Sequence, residues 1–417
     1  MQSKSPDNGA VTVLGNIGQL ATCSASADQQ DAGLINNAAL VVESDRIAWV
    51  GFEAQLPDEY ANADAIDCGR RLVIPGLVDC HTHLCFGGWR GDEFEMRIQC
   101  KSYQEIANSG GGIRSTVRAT RSDSADRLSA KALRALKEIL AMGVTTLECK
   151  SGYGLDLESE LKQLRVYRDL NGQQPVDLVP TFLGAHMVPE EYSNNREGYI
   201  RLLCEELIPA ISEQKLAQFC DIFVEQGALE LDEASVVLET AQQAGLGLKI
   251  HADQLSNGGG ARLAAAMGAV SAEHLEYADP EGIAALAKAG TVAVSLPLAS
   301  LYLRERYMPA REMLNAGVRV AVATDFNPGS APSSHLPLAM TLACINQQMT
   351  PQEVLMGATT IAARAVSSEQ RLGSLLPGFE ADIAIIDAPS LNHWLYHFRA
   401  NACCGVIKSG QWQHRLF

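Results

Sequence analysis

The chain has 417 residues, of which 47% are hydrophobic and 20% are charged, and this length favours one large barrel together with a smaller domain. Its formal net charge of −16 at pH 7 argues against nucleic acids and anionic membrane surfaces as partners. The sequence has no CxxC pair, no apolar leader and no membrane-spanning apolar run, so we expect a cytoplasmic protein without a membrane partner.

Both ends of the chain are predicted to form short β-strands. Alternating or apolar segments lie at 11–15, 39–43, 47–51, 381–387 and 405–412. A turn at residues 44–46 joins two of these segments into a hairpin. We therefore predict one small β-sandwich domain that is built from residues 1–73 and 374–417.

The middle of the chain alternates between strand and helix patterns. The predicted strands are 72–79, 145–150, 177–183, 219–224, 248–251, 269–272, 291–296 and 318–323. Helical spacing of apolar residues separates them, most clearly at 130–142, 158–170 and 235–244. Eight such units predict an α/β fold, a (β/α)8 TIM-like barrel over residues 74–373.

Two histidines, His81 and His83, follow the first predicted strand of the barrel. Alternate side chains of a strand point the same way, so both imidazoles project from one face. Polar residues also follow four later strands, namely His186, His251, His274 and Asp325. The carboxyl ends of barrel strands meet at one end of the barrel, so we expect these residues to surround one site.

Nitrogen atoms of His81, His83 and His251 with a carboxylate of Asp325 suit one divalent metal ion, zinc or iron, and leave a position for water. A metal lowers the pKa of bound water, and Asp325 is placed to take its proton. The alternatives are a hydrogen-bonded histidine pair at a strand edge and a helix N-cap at Asp325.

His274 is predicted to act as an acid/base or polarising group near the reacting centre. A fourth metal ligand and an ordinary core histidine are the alternatives for this residue. Glu148 and Glu225 could argue for a second metal ion, but we expect one ion.

With these residues at the strand ends, the chain resembles the amidohydrolase superfamily and, within it, the imidazolonepropionase family. The most specific runs are Phe86-Gly87-Gly88-Trp89-Arg90 with Glu93-Phe94-Glu95-Met96-Arg97, and the runs Lys150-Ser151-Gly152-Tyr153-Gly154 and Thr324-Asp325-Phe326-Asn327-Pro328-Gly329 are typical of the subfamily. The resemblance implies hydrolysis of 4-imidazolone-5-propanoate to N-formimidoyl-L-glutamate, the third step of histidine degradation. It also implies a homodimer.

Carried over by position, the resemblance implies a role for each matching residue. The metal ligands are His81, His83, His251 and Asp325. The substrate contacts are Arg90, Tyr153, His186, Gln254 and Ser330, and Asn327 and Gly329 meet the product.

The chemistry of these residues agrees with the resemblance. Arg90 can bind the propanoate of the substrate with two hydrogen bonds, although a surface arginine is the alternative. Tyr153 lies between glycines, and His186 could bind the imidazolone oxygen or the carboxylate. Gln254 stands where some relatives carry glutamate, and an amide cannot accept a proton at neutral pH. Proton transfer is therefore assigned to Asp325 and His274.

Two other functions stay open at this point. Another cyclic amidohydrolase or a deaminase of the same superfamily would use the same barrel and ligands. A non-catalytic barrel that serves as a binding or scaffold protein is the second alternative, although the intact ligand set argues against it.

Overall fold

The computed structural model describes residues 11–26, 28–99, 101, 105, 110–225 and 227–417. The first ten residues, in which we expected no targeting segment, lie outside this range. Among the described residues, none of the helices has both the length and the apolar character that a bilayer crossing requires.

The strands are numbered in chain order. They are β1 (Val11–Ala21), β2 (Leu34–Glu43), β3 (Arg46–Phe52), β4 (Asp64–Asp67), β5 (Leu72–Pro75), β6 (Leu77–Asp79), β7 (Val144–Lys150), β8 (Asp177–Ala185), β9 (Phe219–Val224), β10 (Gly247–Ala252), β11 (Ser271–His274), β12 (Val292–Ser295), β13 (Val320–Val322), β14 (Ile383–Ile386), β15 (Cys403–Lys408) and β16 (Gln411–Arg415).

The helices are numbered in the same way. They are α1 (Gly91–Ile98), α2 (Ile113–Ser122), α3 (Ala125–Ala141), α4 (Leu157–Asn171), α5 (Arg196–Arg201), α6 (Ile208–Glu213), α7 (Leu231–Gln243), α8 (Gly260–Ala266), α9 (Pro280–Ala289), α10 (Pro297–Leu303), α11 (Ala310–Asn315), α12 (Leu336–Gln347), α13 (Pro351–Gly357), α14 (Thr360–Ala365) and α15 (Leu391–Tyr396). A π-helical segment, Leu202–Leu207, joins α5 to α6, and single 3₁₀ turns occur at Glu53–Gln55, Asp58–Tyr60 and Glu190–Tyr192.

Strands β6 to β13 form the barrel, in chain order and with every neighbouring pair parallel. Hydrogen bonds just beyond β6 and β13 bring the two ends of this sheet together. Asp325 N–H donates to the carbonyl of His81 at 3.0 Å, and His83 N–H donates to the carbonyl of Phe326 at 2.9 Å. The residues that were predicted to surround a site therefore lie where the sheet closes.

The two chain ends share a second sheet of eight strands, with the order β16-β15-β14-β5-β1-β2-β3 and with β4 beside β1. A separate apolar cluster, which includes Leu14, Leu40, Val73 and Ile383, is buried against it. The predicted fold class, a barrel with a β-structure from both chain ends, is confirmed. The division into domains at residues 73 and 374 stays a prediction.

The single barrel strand predicted at 72–79 is wrong. Leu72–Pro75 belongs to the sheet of the chain ends, where it pairs with β1 and β14, and only Leu77–Asp79 belongs to the barrel. Gly76 separates them: its N–H donates to the carbonyl of Asp382 at 2.8 Å, and a Cβ atom there would lie 2.3 Å from Oγ1 of Thr145. A continuous apolar run hid this change of sheet, because both halves are buried.

The segment predicted at 405–412 contains a turn between β15 and β16, and the other predicted elements agree with the structure apart from their ends. The helix predicted at 130–142 begins earlier, at Ala125, where Oγ of Ser124 accepts a hydrogen bond from Arg127 N–H and caps it. The strand predicted at 269–272 begins at Ser271 and includes His274. His274 therefore belongs to the strand itself and is fixed by its ladder.

Candidate active site

Five of the predicted residues meet at the carboxyl end of the barrel. His81 and His83 follow β6, His251 lies in β10, His274 ends β11 and Asp325 follows β13. All five side chains are buried. Asp325 Oδ1 lies 3.4 Å from Nε2 of His81 and 3.3 Å from Nε2 of His83, and nitrogen atoms of His81, His83 and His251 lie within 4.8 Å of one another.

Burial sets the charge state of this cluster. It holds the pKa of His81 well below its ordinary value and lowers the pKa of His251 to about 4, so both imidazoles are neutral at pH 7. Burial alone would raise the pKa of Asp325, but the adjacent imidazoles of His81 and His83 outweigh it and hold the pKa well below its usual range. Neutral imidazole and ionised carboxylate are the forms that bind a metal.

Several buried ring nitrogens of the cluster have no hydrogen-bond partner within the described part of the chain, and Nε2 of His81 and Nε2 of His251 are among them. A buried polar atom without a partner costs about 1–3 kcal/mol, and a bound cation would remove that cost. Three imidazole nitrogens with one carboxylate are a donor set that zinc and iron accept. The cluster therefore fits a divalent metal ion.

Asp221, which the sequence analysis missed, lies behind His251. Its Oδ2 atom is 3.0 Å from Nδ1 of His251 and 2.7 Å from Nζ of Lys150. A carboxylate in this place fixes the imidazole with the proton on Nδ1, which leaves the lone pair on Nε2. The sequence did contain an indication, because Asp221 is a charged residue inside the otherwise apolar strand β9.

Two buried carboxylates near the cluster, Glu148 and Glu273, form ion pairs with lysines. Nζ of Lys150 lies 2.7 Å from Glu148, and Nζ of Lys249 lies 3.7 Å from Glu273, with all four side chains buried. Burial alone would lower the pKa of Lys150, but its acidic neighbours outweigh it and raise the pKa above its ordinary value. Glu148 is thus neutralised by a permanent cation rather than free for a second metal ion.

His274 and Asp325 share an unusual backbone conformation, with φ of 72° and 56°. Other non-glycine residues of the described chain, such as Ser44 and Arg70, share this conformation, so φ alone does not mark a functional site. Nδ1 of His274 lies 3.5 Å from Glu276, which also accepts from Oγ of Ser300 at 3.3 Å. Burial alone would lower the pKa of His274, but Glu276 outweighs it and raises the pKa. Glu276 was not found from the sequence.

A cavity of about 460 Å³ opens above the cluster. Of the predicted site residues, all but His81 line it: His83, Arg90, Tyr153, His186, His251, Gln254, His274, Asp325, Asn327, Gly329 and Ser330. His81 lies below, completely buried. Arg97, Phe223 and Glu305 also line the cavity, and the sequence analysis assigned no role to them.

A family model described as the amidohydrolase family matches residues 72–412. The chain belongs to the amidohydrolase family. It is 44% identical to an imidazolonepropionase of Fusobacterium nucleatum, over 96% of this chain and 98% of that protein. It is 46% identical to an imidazolonepropionase of Cupriavidus taiwanensis, over 93% of this chain and 94% of that protein. The resemblance stated from the sequence is confirmed.

Solved structures show the same fold at low identity. An ochratoxinase of A. niger has a TM-score of 0.71 at 20% identity and covers 98% of this chain and 96% of its own. An adenosine deaminase of Xanthomonas campestris with bound zinc has a TM-score of 0.71 at 17% identity and covers 99% of this chain and 94% of its own.

His186 of this amidohydrolase has a defined tautomer. Its Nδ1 atom lies 3.0 Å from the carbonyl of Gly152, which only accepts, so the proton is on Nδ1 and the lone pair on Nε2. Burial lowers the pKa of His186 to about 3, which keeps the ring neutral. Nε2 can therefore accept a hydrogen bond from a ligand but cannot donate one to a ligand oxygen.

Asn327 organises the loop after Asp325. Its Oδ1 atom accepts from the N–H groups of Gly329 at 2.7 Å and Ser330 at 2.8 Å, and its Nδ2 atom donates to Asp325 O at 2.6 Å and to Ser330 Oγ at 2.8 Å. Ser330 Oγ in turn donates to Asp325 Oδ2 at 3.1 Å. The amide is fully used within the loop, so its predicted contact with product stays a prediction.

Proposed function

We propose that this amidohydrolase hydrolyses 4-imidazolone-5-propanoate to N-formimidoyl-L-glutamate, the third step of histidine degradation. The proposal rests on one observation above all, the identity of 44% with a curated imidazolonepropionase over nearly the full length of both chains. The cavity agrees with a small substrate that bears a carboxylate, because Arg90 lines it in a chain of net charge −16.

The metal ligands in this proposal are His81, His83, His251 and Asp325, and they hold one zinc or iron ion. When bound, such an ion supplies a Lewis acid that polarises a carbonyl group and lowers the pKa of water. Everything else in the reaction falls to side chains of the protein.

Residues that bind the substrate are assigned for both of its ends, the propanoate and the ring. The guanidinium of Arg90 binds the propanoate. Nε2 of His186 accepts from a ring N–H, in place of the contact with the ring oxygen or carboxylate that the sequence left open. Tyr153, Gln254 and Ser330 provide further polar contacts in the cavity.

Proton transfer is assigned to His274 and Asp325, which both line the cavity. The Asp325 carboxylate takes a proton from the water that adds to the ring carbonyl carbon. His274 gives a proton to the ring nitrogen that leaves, and Glu276 orients it and favours its protonated form. A ring nitrogen of His274 and a carboxylate oxygen of Asp325 lie within 4.8 Å of each other, close enough for one small group to contact both.

The deciding experiment is an assay of the purified protein on 4-imidazolone-5-propanoate, compared with a hydantoin, a dihydropyrimidine and guanine. We expect N-formimidoyl-L-glutamate and a kcat/KM at least about a thousandfold above that on the other rings. Preferred turnover of another ring would show a different cyclic amidohydrolase or a deaminase. Bound metal with no turnover would show a binding protein. A homodimer, a cytoplasmic location and the absence of a nucleic-acid partner stay predictions.

A further inference from the structure

The side chain of Glu93 connects Arg90, the predicted substrate-binding arginine, to the start of α2. Both of its carboxylate oxygens accept from Nε of Arg90 at 3.0 Å, and Oε2 lies 2.9 Å from Nη2. Oε1 also accepts from the N–H of Gly112, which caps α2, at 2.7 Å. Glu93 is buried, so these charge-assisted bonds are shielded from water and hold the guanidinium firmly.

The other side of the guanidinium lies against the loop that follows Asp325. A Cβ atom built on Gly329 would lie 2.1 Å from Nη1 of Arg90 and 2.8 Å from Cζ. The guanidinium thus occupies the space that any larger residue at this position would need. Glu93 takes the Nε–Nη2 edge, so the edge left for a ligand in the cavity is Nη1–Nη2.

We infer that Glu93 is a positioning residue for carboxylate recognition: it holds Arg90 by one edge so that the Nη1–Nη2 edge receives the propanoate of the substrate. The inference rests on the proposed function and adds a residue to it. An arginine side chain loses much conformational freedom when it is ordered, and Glu93 orders it before the substrate arrives. Binding then loses less free energy to ordering.

Electrostatic repulsion between Glu93 and the substrate would act in the opposite direction. The carboxylates of Glu93 and of the substrate would bind two edges of one cation, and they repel each other. If positioning dominates, loss of the Glu93 charge weakens recognition of the substrate carboxylate. If repulsion dominates, the same change strengthens it. Whether loss of the Glu93 charge weakens or strengthens recognition therefore decides between positioning and repulsion.

The test measures kcat/KM on 4-imidazolone-5-propanoate and on its propanamide analogue, in the wild type and in Glu93→Gln. The ratio of the two values does not depend on the concentration of folded enzyme, so a merely structural defect leaves it unchanged. Glu95→Gln is the matched control, because Glu95 is an exposed glutamate on the same helix. Glu93→Asp keeps the carboxylate but withdraws it by one methylene group.

We expect the acid-to-amide ratio to fall about tenfold in Glu93→Gln, mostly through KM, to fall less in Glu93→Asp and to stay unchanged in Glu95→Gln. A ratio that is unchanged or raised in Glu93→Gln overturns the inference. If Glu93→Gln does not fold, an unchanged ratio in Glu93→Asp overturns it. A wild type that hydrolyses neither compound contradicts the proposed function instead.

Discussion

Nδ1 of His251 lies 3.0 Å from Oδ2 of Asp221. The contact joins neighbouring strands β9 and β10, whose register places Asp221 opposite Lys249, two residues before His251. It fixes the ring with Nε2 directed to the predicted metal cluster, where that atom has no hydrogen-bond partner among the described residues. Asp221 thus orients the predicted metal ligand His251 and is not itself a predicted ligand.

Replacement of Asp221 by asparagine should weaken metal binding. The amide cannot keep the charge that favours Nδ1–H on His251, so we expect metal affinity to fall about 10–100-fold. Competition with a chromophoric chelator measures the change. Asp232→Asn, at an exposed position of α7, is the control. Equal metal affinity in Asp221→Asn and wild type would show that this contact does not support the metal site.

Replacement of His274 by asparagine should reduce kcat about 10²–10⁴-fold while the metal content stays the same. Asparagine tolerates the φ of 72° at this position, so the variant removes the imidazole without adding backbone strain. Steady-state kinetics and metal analysis on the same sample measure both effects. His393→Asn, at an exposed site, is the control. A near-normal kcat with metal bound would remove His274 from the proton transfer.

Replacement of Gly329 by alanine should raise KM about tenfold and change kcat little, because the new methyl group displaces the guanidinium of Arg90. Gly172→Ala is a matched control, since a Cβ atom there meets nothing within 4 Å and its φ of −91° suits alanine. If Gly329→Ala keeps the wild-type KM, Arg90 does not contact the substrate from its present position.

Stability should decline in alkaline solution because of buried thiols. Burial raises the pKa of Cys23 from 9.0 to about 12, so the unfolded chain loses this proton at lower pH than the folded protein. The folded state binds more protons over that interval, and its stability therefore decreases as pH rises above about 9. The loss is about 2 kcal/mol for this thiol between about pH 9 and about pH 10.5.

Unfolding of the wild type and of Cys23→Ala at pH 8 and at pH 10.5 measures this contribution. We expect the wild type to lose more stability over the interval than the variant does. Parallel losses in the two proteins would show that the Cys23 thiol ionises equally easily in the folded and unfolded states.

Much of the fold follows from periodicity, and the exception has a physical cause. Strand and helix alternation places β7 to β13 correctly, because each strand is a short apolar run between helices. The boundary inside 72–79 was missed because the apolar run continues through residues 72–78 and both strands are buried. The pairing of Leu72–Pro75 with β1 and with β14, which is more than 300 residues away, separates them.

The site could be predicted where its residues end strands, since parallel strands bring their carboxyl ends together. This is why His83, His251 and Asp325 were found. No role was predicted for Asp221, Glu276 or Glu93, because their importance comes from which side chain they contact, and spacing along the chain does not reveal that contact. A charged residue within an otherwise apolar strand is a pattern that would have indicated Asp221, but it does not apply to Glu276 or Glu93.

The most direct test of the metal-dependent ring opening is one titration on the wild-type protein. The purified chain is stripped with a chelator, a divalent ion is added back in steps, and bound metal and hydrolysis of 4-imidazolone-5-propanoate are measured at each step. We predict that the rate rises in proportion to bound zinc or iron and saturates at about one ion per chain. A full rate in protein with no detectable metal would contradict it.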